Sequence, residues 1–365
     1  MPDFAGSTWV RLQYILGLQR LGVDCYWIDQ LKPVDPLIHH HSLEYITSRF
    51  ANLAEQFGFS DRYCIVYNEG ESHFGMSKTQ LEQLASEADL LLNISGHMKP
   101  ESPLMRIPRR AYVDVDPGFT QIWGAELLHL ERHNLFFTTG QNVGTERFRI
   151  ATGAFDWIPF LPPVALEAWP ANIDDRCTRI STVADWHASQ GAWYAGELYG
   201  GKQDEFFRFM EVPKLADKQI ELALTIHQTE YRDQGTLLDN GWLIRDPYFF
   251  AGDVHSYREF IKYSRAEFSV AKGGYVKSNS GWISDRTACY LASGKPAIVQ
   301  STGFEDSLPE GLGLVSFTTI EEAVAALATV DNDYLKHCAA AREIAERYFS
   351  AEVVLSRLLA AAGLS

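Results

Sequence analysis

The sequence is short of cysteine, of long apolar runs and of basic residues. Its five cysteines are scattered through 365 residues, odd in number and without the spacing of a metal site. This argues against a disulfide-built secreted domain and favours a reduced compartment. No apolar run approaches the roughly 20 residues that a membrane-spanning helix needs, and no signal peptide is visible. We therefore expect a cytoplasmic protein without a membrane span.

Basic residues are outnumbered, with 32 Lys and Arg against 47 Asp and Glu, which gives a net charge of −15. Such a charge disfavours non-specific binding to nucleic acid or to anionic membranes, although it allows a local basic pocket. A hydrophobic content of 46% is typical of a globular protein. Because 365 residues exceed what one compact core usually holds, we expect two domains.

Strands and helices alternate along the first half of the chain. A loop of Gly6, Ser7 and Thr8 leads into a helix over residues 9–18, and a strand over 23–29 follows. The strand that should precede this loop is barely present, since residues 1–5 supply at most a stub. Further strands are predicted over 63–67, 89–94, 110–114 and 135–139, and further helices over 43–57, 78–88 and 119–132. This alternation is typical of a parallel sheet covered by helices on both faces.

A proline-rich segment over residues 157–170 interrupts the alternation. Proline resists helices and central strands, so this segment is the predicted linker between the domains. The second alternation has helices near 204–210 and 257–264 and strands over 222–226 and 266–271, with an irregular region at Gly241 and Trp242. The sequence thus predicts an α/β fold with two Rossmann-like domains.

Residues 278–287 form the most informative stretch, in which a loop rich in serine opens a helix that carries Asp285 and Arg286. The unpaired amides and the dipole of a helix N-terminus attract anions. The planar guanidinium of Arg286 is able to donate parallel hydrogen bonds to a diphosphate or a ribose. The stretch therefore suits a nucleotide diphosphate. The spacing alone leaves open an ordinary capped helix with a surface ion pair.

The flanks, over residues 288–304 and 309–323, resemble the donor-binding half of GT-B glycosyltransferases, most closely the bacterial CgeB-like group. The resemblance implies two Rossmann-like domains that face each other across a cleft. It also implies an acceptor-side domain over 1–160, a nucleotide-sugar-binding domain over 161–349, and a C-terminal helix, 350–365, that packs back on the first domain. One departure stands out: the two glutamates of many retaining members are replaced by Gly281 and Cys289.

The donor-binding candidates follow strand ends or open helices in the second half. Lys272 follows a predicted strand and precedes paired glycines, which permit close approach of a ligand or form a simple turn. Asp285 either orients Arg286 or accepts a hydrogen bond from a ribose hydroxyl. The full set is Lys272, Gly274, Tyr275, Ser278, Ser280, Gly281, Trp282, Asp285, Arg286 and, from the resemblance, Gly303.

The catalytic candidates follow strand ends in the first half: Asp114, Asp116 and His97. Paired carboxylates at a strand end hold a metal, take a proton from an acceptor hydroxyl, or cap the next helix. His97 follows Gly96 near the expected cleft, although a lone histidine is more often structural. Gly6, Ser7 and Thr8 are expected as a cleft loop that binds acceptor or donor phosphate.

The resemblance implies transfer of a sugar from a nucleotide-sugar donor to an unknown acceptor, with no metal and no further cofactor. Two alternatives remain at the level of sequence. One is a nucleotide-sugar epimerase on the same fold. The other is a binding protein that has lost the chemistry, which the two missing glutamates favour.

Overall fold

The computed structural model describes residues 5–33, 42–188 and 191–364. The strands are β1 (Trp27–Leu31), β2 (Tyr63–Tyr67), β3 (Ser72–Gly75), β4 (Leu90–Ile94), β5 (Arg109–Asp114), β6 (Leu135–Thr138), β7 (Trp157–Pro159), β8 (Ile180–Asp185), β9 (Ala192–Tyr194), β10 (Glu197–Tyr199), β11 (Ile220–Thr225), β12 (Trp242–Arg245), β13 (Ala266–Ser269), β14 (Ala297–Gln300) and β15 (Leu314–Phe317). The helices are α1 (Ala5–Arg20), α2 (Leu43–Gln56), α3 (Lys78–Glu87), α4 (Phe119–Leu128), α5 (Lys202–Arg208), α6 (Val212–Ala216), α7 (Tyr231–Asp239), α8 (Pro247–Ala251), α9 (Val254–Lys262), α10 (Gly273–Ser278), α11 (Asp285–Ala292), α12 (Ile320–Asn332), α13 (Tyr334–Ile344) and α14 (Ala351–Ala361).

The first domain contains two sheets. One has the order β1-β2-β3, and the other has four parallel strands in the order β4-β5-β6-β7. Of the stub expected over residues 1–5, only Ala5 belongs to the described residues, and it begins α1. The carboxyl ends of β4, β5 and β6 lie at one edge, so the loops that follow these strands are brought together there.

The second domain is built on one parallel sheet of six strands in the order β12-β11-β8-β13-β14-β15. Its inner strands are buried on both faces, as their continuous apolar sequences require. The strand order reverses between β8 and β13, and ligands of such sheets bind where the order reverses. The end of β8 and the loop after β13 both line the cleft between the domains.

Helix α1 connects the two domains. Trp9 in α1 donates its indole hydrogen to the carbonyl of Val254 in the second domain at 2.9 Å. On another face of α1, Gly17 lies so close to α14 that an added Cβ would stand 2.6 Å from side-chain atoms of Ala351 and Leu355. The C-terminal helix therefore packs on α1.

Several predicted elements differ from the structure. Gly6, Ser7 and Thr8 form the first turn of α1 rather than a loop. The helix predicted over 119–132 ends at Leu128, and Gly124 within it has a non-helical backbone. Trp242, expected in an irregular region, instead begins the edge strand β12, whose register with β11 is set by long-range pairing. No helix in the described part of the chain is long and apolar enough to cross a membrane.

Candidate functional site

A cleft with a volume of about 390 Å³ opens between the two domains. The first domain contributes Gly6 and Ser7 from the first turn of α1 and Asp116 from the loop after β5. The second domain contributes the end of β8, the start of α5, the loop after β13 and the first turn of α11. The lining thus combines the strand ends of both sheets.

Lys202, which was not predicted from the sequence, is the most deeply buried basic residue of the cleft. It begins α5 and is 7% exposed, and its Nζ donates to the carbonyl of Val270 at 2.8 Å. Among the described residues it has no carboxylate partner. Burial, reinforced by the positive charges of Arg286 and Lys272, lowers its pKa well below the usual value. An anion bound here would relieve this repulsion.

Lys272 crosses the cleft to the first domain. Its Nζ lies 2.6 Å from Oδ1 of Asp116, and the Tyr275 hydroxyl donates to the same oxygen. Burial alone would raise the pKa of Asp116, but these partners hold it below its usual value. Asp116 is therefore ionised and paired, which makes it a weak proton acceptor in this arrangement.

Arg286 lines the cleft, but its guanidinium is already occupied by the protein. Nε lies 2.7 Å from Glu267 Oε1, Nη1 donates to the carbonyl of Val183 at 2.8 Å, and Nη2 donates to Ser269 Oγ at 2.5 Å. Burial opposes the charge of Arg286, yet Glu267 raises its pKa above the usual value. The guanidinium N–H groups that were predicted to bind a diphosphate are therefore already bonded to protein atoms. Arg286 contributes its positive charge at the floor of the cleft.

The first part of the serine-rich segment, Ser278 to Gly281, packs against the first domain and does not line the cleft. Ser278 and Ser280 are fully buried, and both hydroxyls donate to the carbonyl of Tyr275 at 3.2 Å. Gly281 has a φ of 70° and leaves no space for a side chain, since an added Cβ would stand 2.9 Å from the amide of Asn142. Gly303 accepts a hydrogen bond from the Asn142 side chain at 2.9 Å.

Gly274, the second of the paired glycines after Lys272, has a packing role in this structure. A Cβ on Gly274 would lie 2.4 Å from the ring of Phe119, so only glycine fits there. Tyr275, one residue on, is buried and reaches the cleft through its hydroxyl. Trp282 packs on the ring of Tyr275 with a centroid distance of 4.3 Å and forms part of the cleft lining.

The remaining catalytic candidates lie apart from the open cleft. Asp114 is fully buried, and its carboxylate accepts hydrogen bonds from Thr120 at 2.6 Å and Thr138 at 2.8 Å. Burial raises its pKa to about 6 in spite of these bonds. His97 is exposed beyond the end of β4 and does not line the cleft. Asp114 also accepts a hydrogen bond from the amide of Asp116 at 2.9 Å, so it fixes the loop that carries Asp116.

Asp285 occupies the first position of α11, directly after the cap Ser284, whose Oγ accepts from the amide of Arg286 at 3.2 Å. Two tyrosines that the sequence reading missed, Tyr14 of α1 and Tyr257 of α9, line the cleft beside it. The sequence signal that could have identified Lys202 is its position directly after two glycines at the start of a helix. Lys272 precedes two glycines in the same way. Nothing in the local sequence marks Tyr14 or Tyr257.

No group of three or more His, Cys, Asp and Glu side chains within residues 5–33, 42–188 and 191–364 is arranged to hold a metal ion. Comparison of the sequence with known proteins gives no match to a family model and none to a curated protein.

The structure, by contrast, is similar to solved glycosyltransferases. An alpha-glucosyltransferase (AGT) in complex with UDP aligns with a TM-score of 0.62 at 10% identity, over 99% of this chain and 97% of that one. Anabaena HepE in complex with UDP-glucose aligns with a TM-score of 0.60 at 11% identity, over 99% and 97%. AviGT4, a glycosyltransferase involved in avilamycin A biosynthesis, gives 0.55 at 12%, over 99% and 90%. The predicted fold is confirmed: this chain has two Rossmann-like domains arranged across a cleft as in GT-B proteins.

Proposed function

We propose that this protein is a glycosyltransferase that takes a sugar from a nucleotide-sugar donor bound in the cleft. The observation that carries the proposal is the meeting of Lys202, Lys272 and Arg286 with the first turn of α11 at the carboxyl ends of β8 and β13. Three basic side chains at the positive end of a helix dipole, in one half-buried cleft, provide a site for a diphosphate. The structural neighbours in complex with UDP and UDP-glucose support this ligand class.

In this proposal the diphosphate lies between Lys202 and the start of α11. Lys202 supplies the charge that has no carboxylate partner among the described residues. Lys272 exchanges Asp116 for a phosphate oxygen, which leaves Asp116 free on the first-domain side of the cleft, where an acceptor hydroxyl would enter. Positive charge at the leaving diphosphate stabilises the transition state of transfer.

The test is nucleotide binding by calorimetry with the variant Lys202→Met, which keeps the length of the side chain and removes its charge. A charge-assisted hydrogen bond contributes about 1.5–3 kcal/mol, so affinity for the nucleoside diphosphate should fall about 10- to 100-fold. Lys336→Met, at an exposed lysine of α13 paired with Asp333, serves as the matched control and should bind as the wild type does. Unchanged affinity in Lys202→Met would refute the donor site.

A panel of UDP-, GDP-, ADP- and dTDP-sugars separates the proposed activity from its rivals. Release of the nucleoside diphosphate, by hydrolysis or with transfer to an added acceptor, supports a transferase. Interconversion of the donor sugar without an acceptor identifies an epimerase. Tight binding without turnover identifies a binding protein, which the replacement of the two glutamates by Gly281 and Cys289 specifically favours.

A further inference from the structure

A fully buried lysine, Lys295, lies in the second domain at the edge of the sheet opposite the cleft. It comes two residues before β14, whereas the cleft is built at the carboxyl ends of the strands. Lysine is almost never fully buried unless it is paired. Within the described residues no carboxylate pairs with Lys295, and Asp174, whose charge acts on it, is bonded to Arg176 at 2.9 Å. The burial of this amine therefore calls for another explanation.

The partner of the Lys295 amine is a thiol. Its Nζ lies 3.8 Å from the Sγ of Cys177, and a thiol is a weak hydrogen-bond acceptor. Burial lowers the pKa of Lys295, which favours the neutral amine with its free electron pair. The pair thus places a nucleophilic nitrogen next to a sulfur that is open to oxidation.

A second thiol, Cys338 of α13, lies on the same cluster, since its charge and that of Lys295 act on each other. Cys338 is fully buried, and burial raises its pKa, so this thiol stays protonated. Cys177 is 9% exposed, more than any of the other four cysteines, and it follows the exposed residues Asp175 and Arg176. Because oxidation of cysteine depends on access, it should begin at Cys177.

We propose that Lys295 and Cys177 form a covalent bridge, Nζ–O–Sγ, when the protein is exposed to dioxygen. The thiol S–H bond, one amine N–H bond and the O–O bond break, and one S–O bond and one O–N bond form. Sulfur and nitrogen each lose two electrons, and dioxygen takes up all four. One oxygen atom becomes the bridge, and the other leaves as water with the two hydrogens. Two molecules of dithiothreitol return four electrons and four hydrogens, which restores the amine and the thiol and releases water.

The position of the bridge in the fold determines its effect. Cys177 precedes β8 by three residues, Lys295 precedes β14 by two, and β13 lies between these strands in the sheet. The bridge would therefore tie two strands that are not neighbours, through residues 118 positions apart. A cross-link that closes so long a loop stabilises the folded state by restricting the unfolded chain. The bridge lies away from the cleft, so this inference is independent of the proposed function.

The test is peptide mass spectrometry on the full chain, purified under dinitrogen with dithiothreitol and then divided into a sample kept anaerobic and a sample exposed to air. Free thiols are alkylated before digestion. The variants are Cys177→Ser and Lys295→Met, which keeps the length of the side chain and removes the amine. The matched controls are Cys64→Ser, at a buried thiol that donates to the carbonyl of Met76 at 3.3 Å, and Lys336→Met. Melting temperatures are measured on every sample with and without dithiothreitol.

In air, we expect the peptides with Cys177 and Lys295 to be joined, with one oxygen gained and two hydrogens lost, and dithiothreitol to separate them. The two control variants should keep this product, and the bridged wild type should melt several degrees above its reduced form.

Three results would overturn the bridge. The first is that Cys177 and Lys295 both stay unmodified in air. The second is that Cys177 is oxidised, or joined to Cys338 in a disulfide, while Lys295 stays free. The third is a direct S–N bond, which lacks the added oxygen. Because these results are read from the wild type, they decide the proposal even if Lys295→Met or Cys177→Ser does not fold. An equal effect of dithiothreitol on the melting temperature of Lys295→Met would assign the stabilisation to another thiol and also contradict the proposal.

Discussion

At the scale of single residues, the ion pair between Arg286 and Glu267 is the most consequential buried contact of the cleft. Glu267 is fully buried, and its second oxygen has no hydrogen-bond partner among the described residues. Replacing Arg286 by methionine would leave this carboxylate uncompensated. We expect a loss of about 3–5 kcal/mol in the free energy of unfolding, measured by urea denaturation.

The double variant Arg286→Met with Glu267→Met should recover much of that loss, because neither charge is then buried alone. Arg176→Met, which removes an exposed arginine paired with Asp174, should change stability little. An Arg286→Met protein as stable as the wild type would show that the guanidinium is not a structural element, and would restore it as a free ligand for phosphate.

The second residue-scale prediction concerns pH and Asp285. Burial raises the pKa of Asp285 to about 6, above the value of an unfolded chain, so the ionised carboxylate destabilises the folded protein above that pH. Asp285→Asn should therefore be more stable than the wild type at pH 7. The difference should shrink as the pH falls from above 6 toward 4, since the wild-type carboxylate then takes up a proton. Thermal unfolding of both proteins between pH 4 and pH 8 measures this, and a difference independent of pH would contradict it.

At the scale of elements, the contact between α1 and α14 depends on Gly17. Because an added Cβ would stand 2.6 Å from Ala351 and Leu355, Gly17→Ala should force the two helices apart. Overpacking of this kind costs about 1–3 kcal/mol. Gly235→Ala in α7, where nothing lies within 4 Å of the added atom, should be neutral or slightly stabilising. Chemical denaturation of the two variants distinguishes packing from the general effect of losing a helical glycine.

The helix starts show how far local sequence determines an element. Ser284 caps α11, and Thr319 with Glu322 forms a capping box at the start of α12. Both signals lie within four residues and are readable from sequence. Strand β12 has no such local signal, since it is an edge strand held by its pairing with β11. Its backbone conformation depends on residues more than 20 positions away, whereas the local sequence at Gly241 and Trp242 predicts irregular structure.

At the scale of the whole molecule, the cleft lining comes from both domains, which predicts where a ligand protects the chain. Saturating nucleoside diphosphate should slow hydrogen exchange in the first turn of α1, at Gly6 and Ser7, as well as around Ser284 to Arg286. The measurement is exchange by mass spectrometry with and without ligand, with the exposed helix α7 as the internal reference. Protection confined to the second domain would remove the first domain from the donor site.

Periodicity, capping and proline act over a few neighbouring residues, so the alternation of strands and helices, the two Rossmann-like domains and the helix that begins at Asp285 could be predicted from the sequence. The role of each polar side chain, by contrast, depends on contacts between distant parts of the chain. Arg286 pairs with Glu267, and Lys272 pairs with Asp116, which lies 156 positions earlier in the chain. Lys202 is buried near the positive charges of Arg286 and Lys272. These roles depend on which charged groups lie close together in the folded protein and on how far burial desolvates them. Neither can be predicted from the neighbouring residues in the sequence.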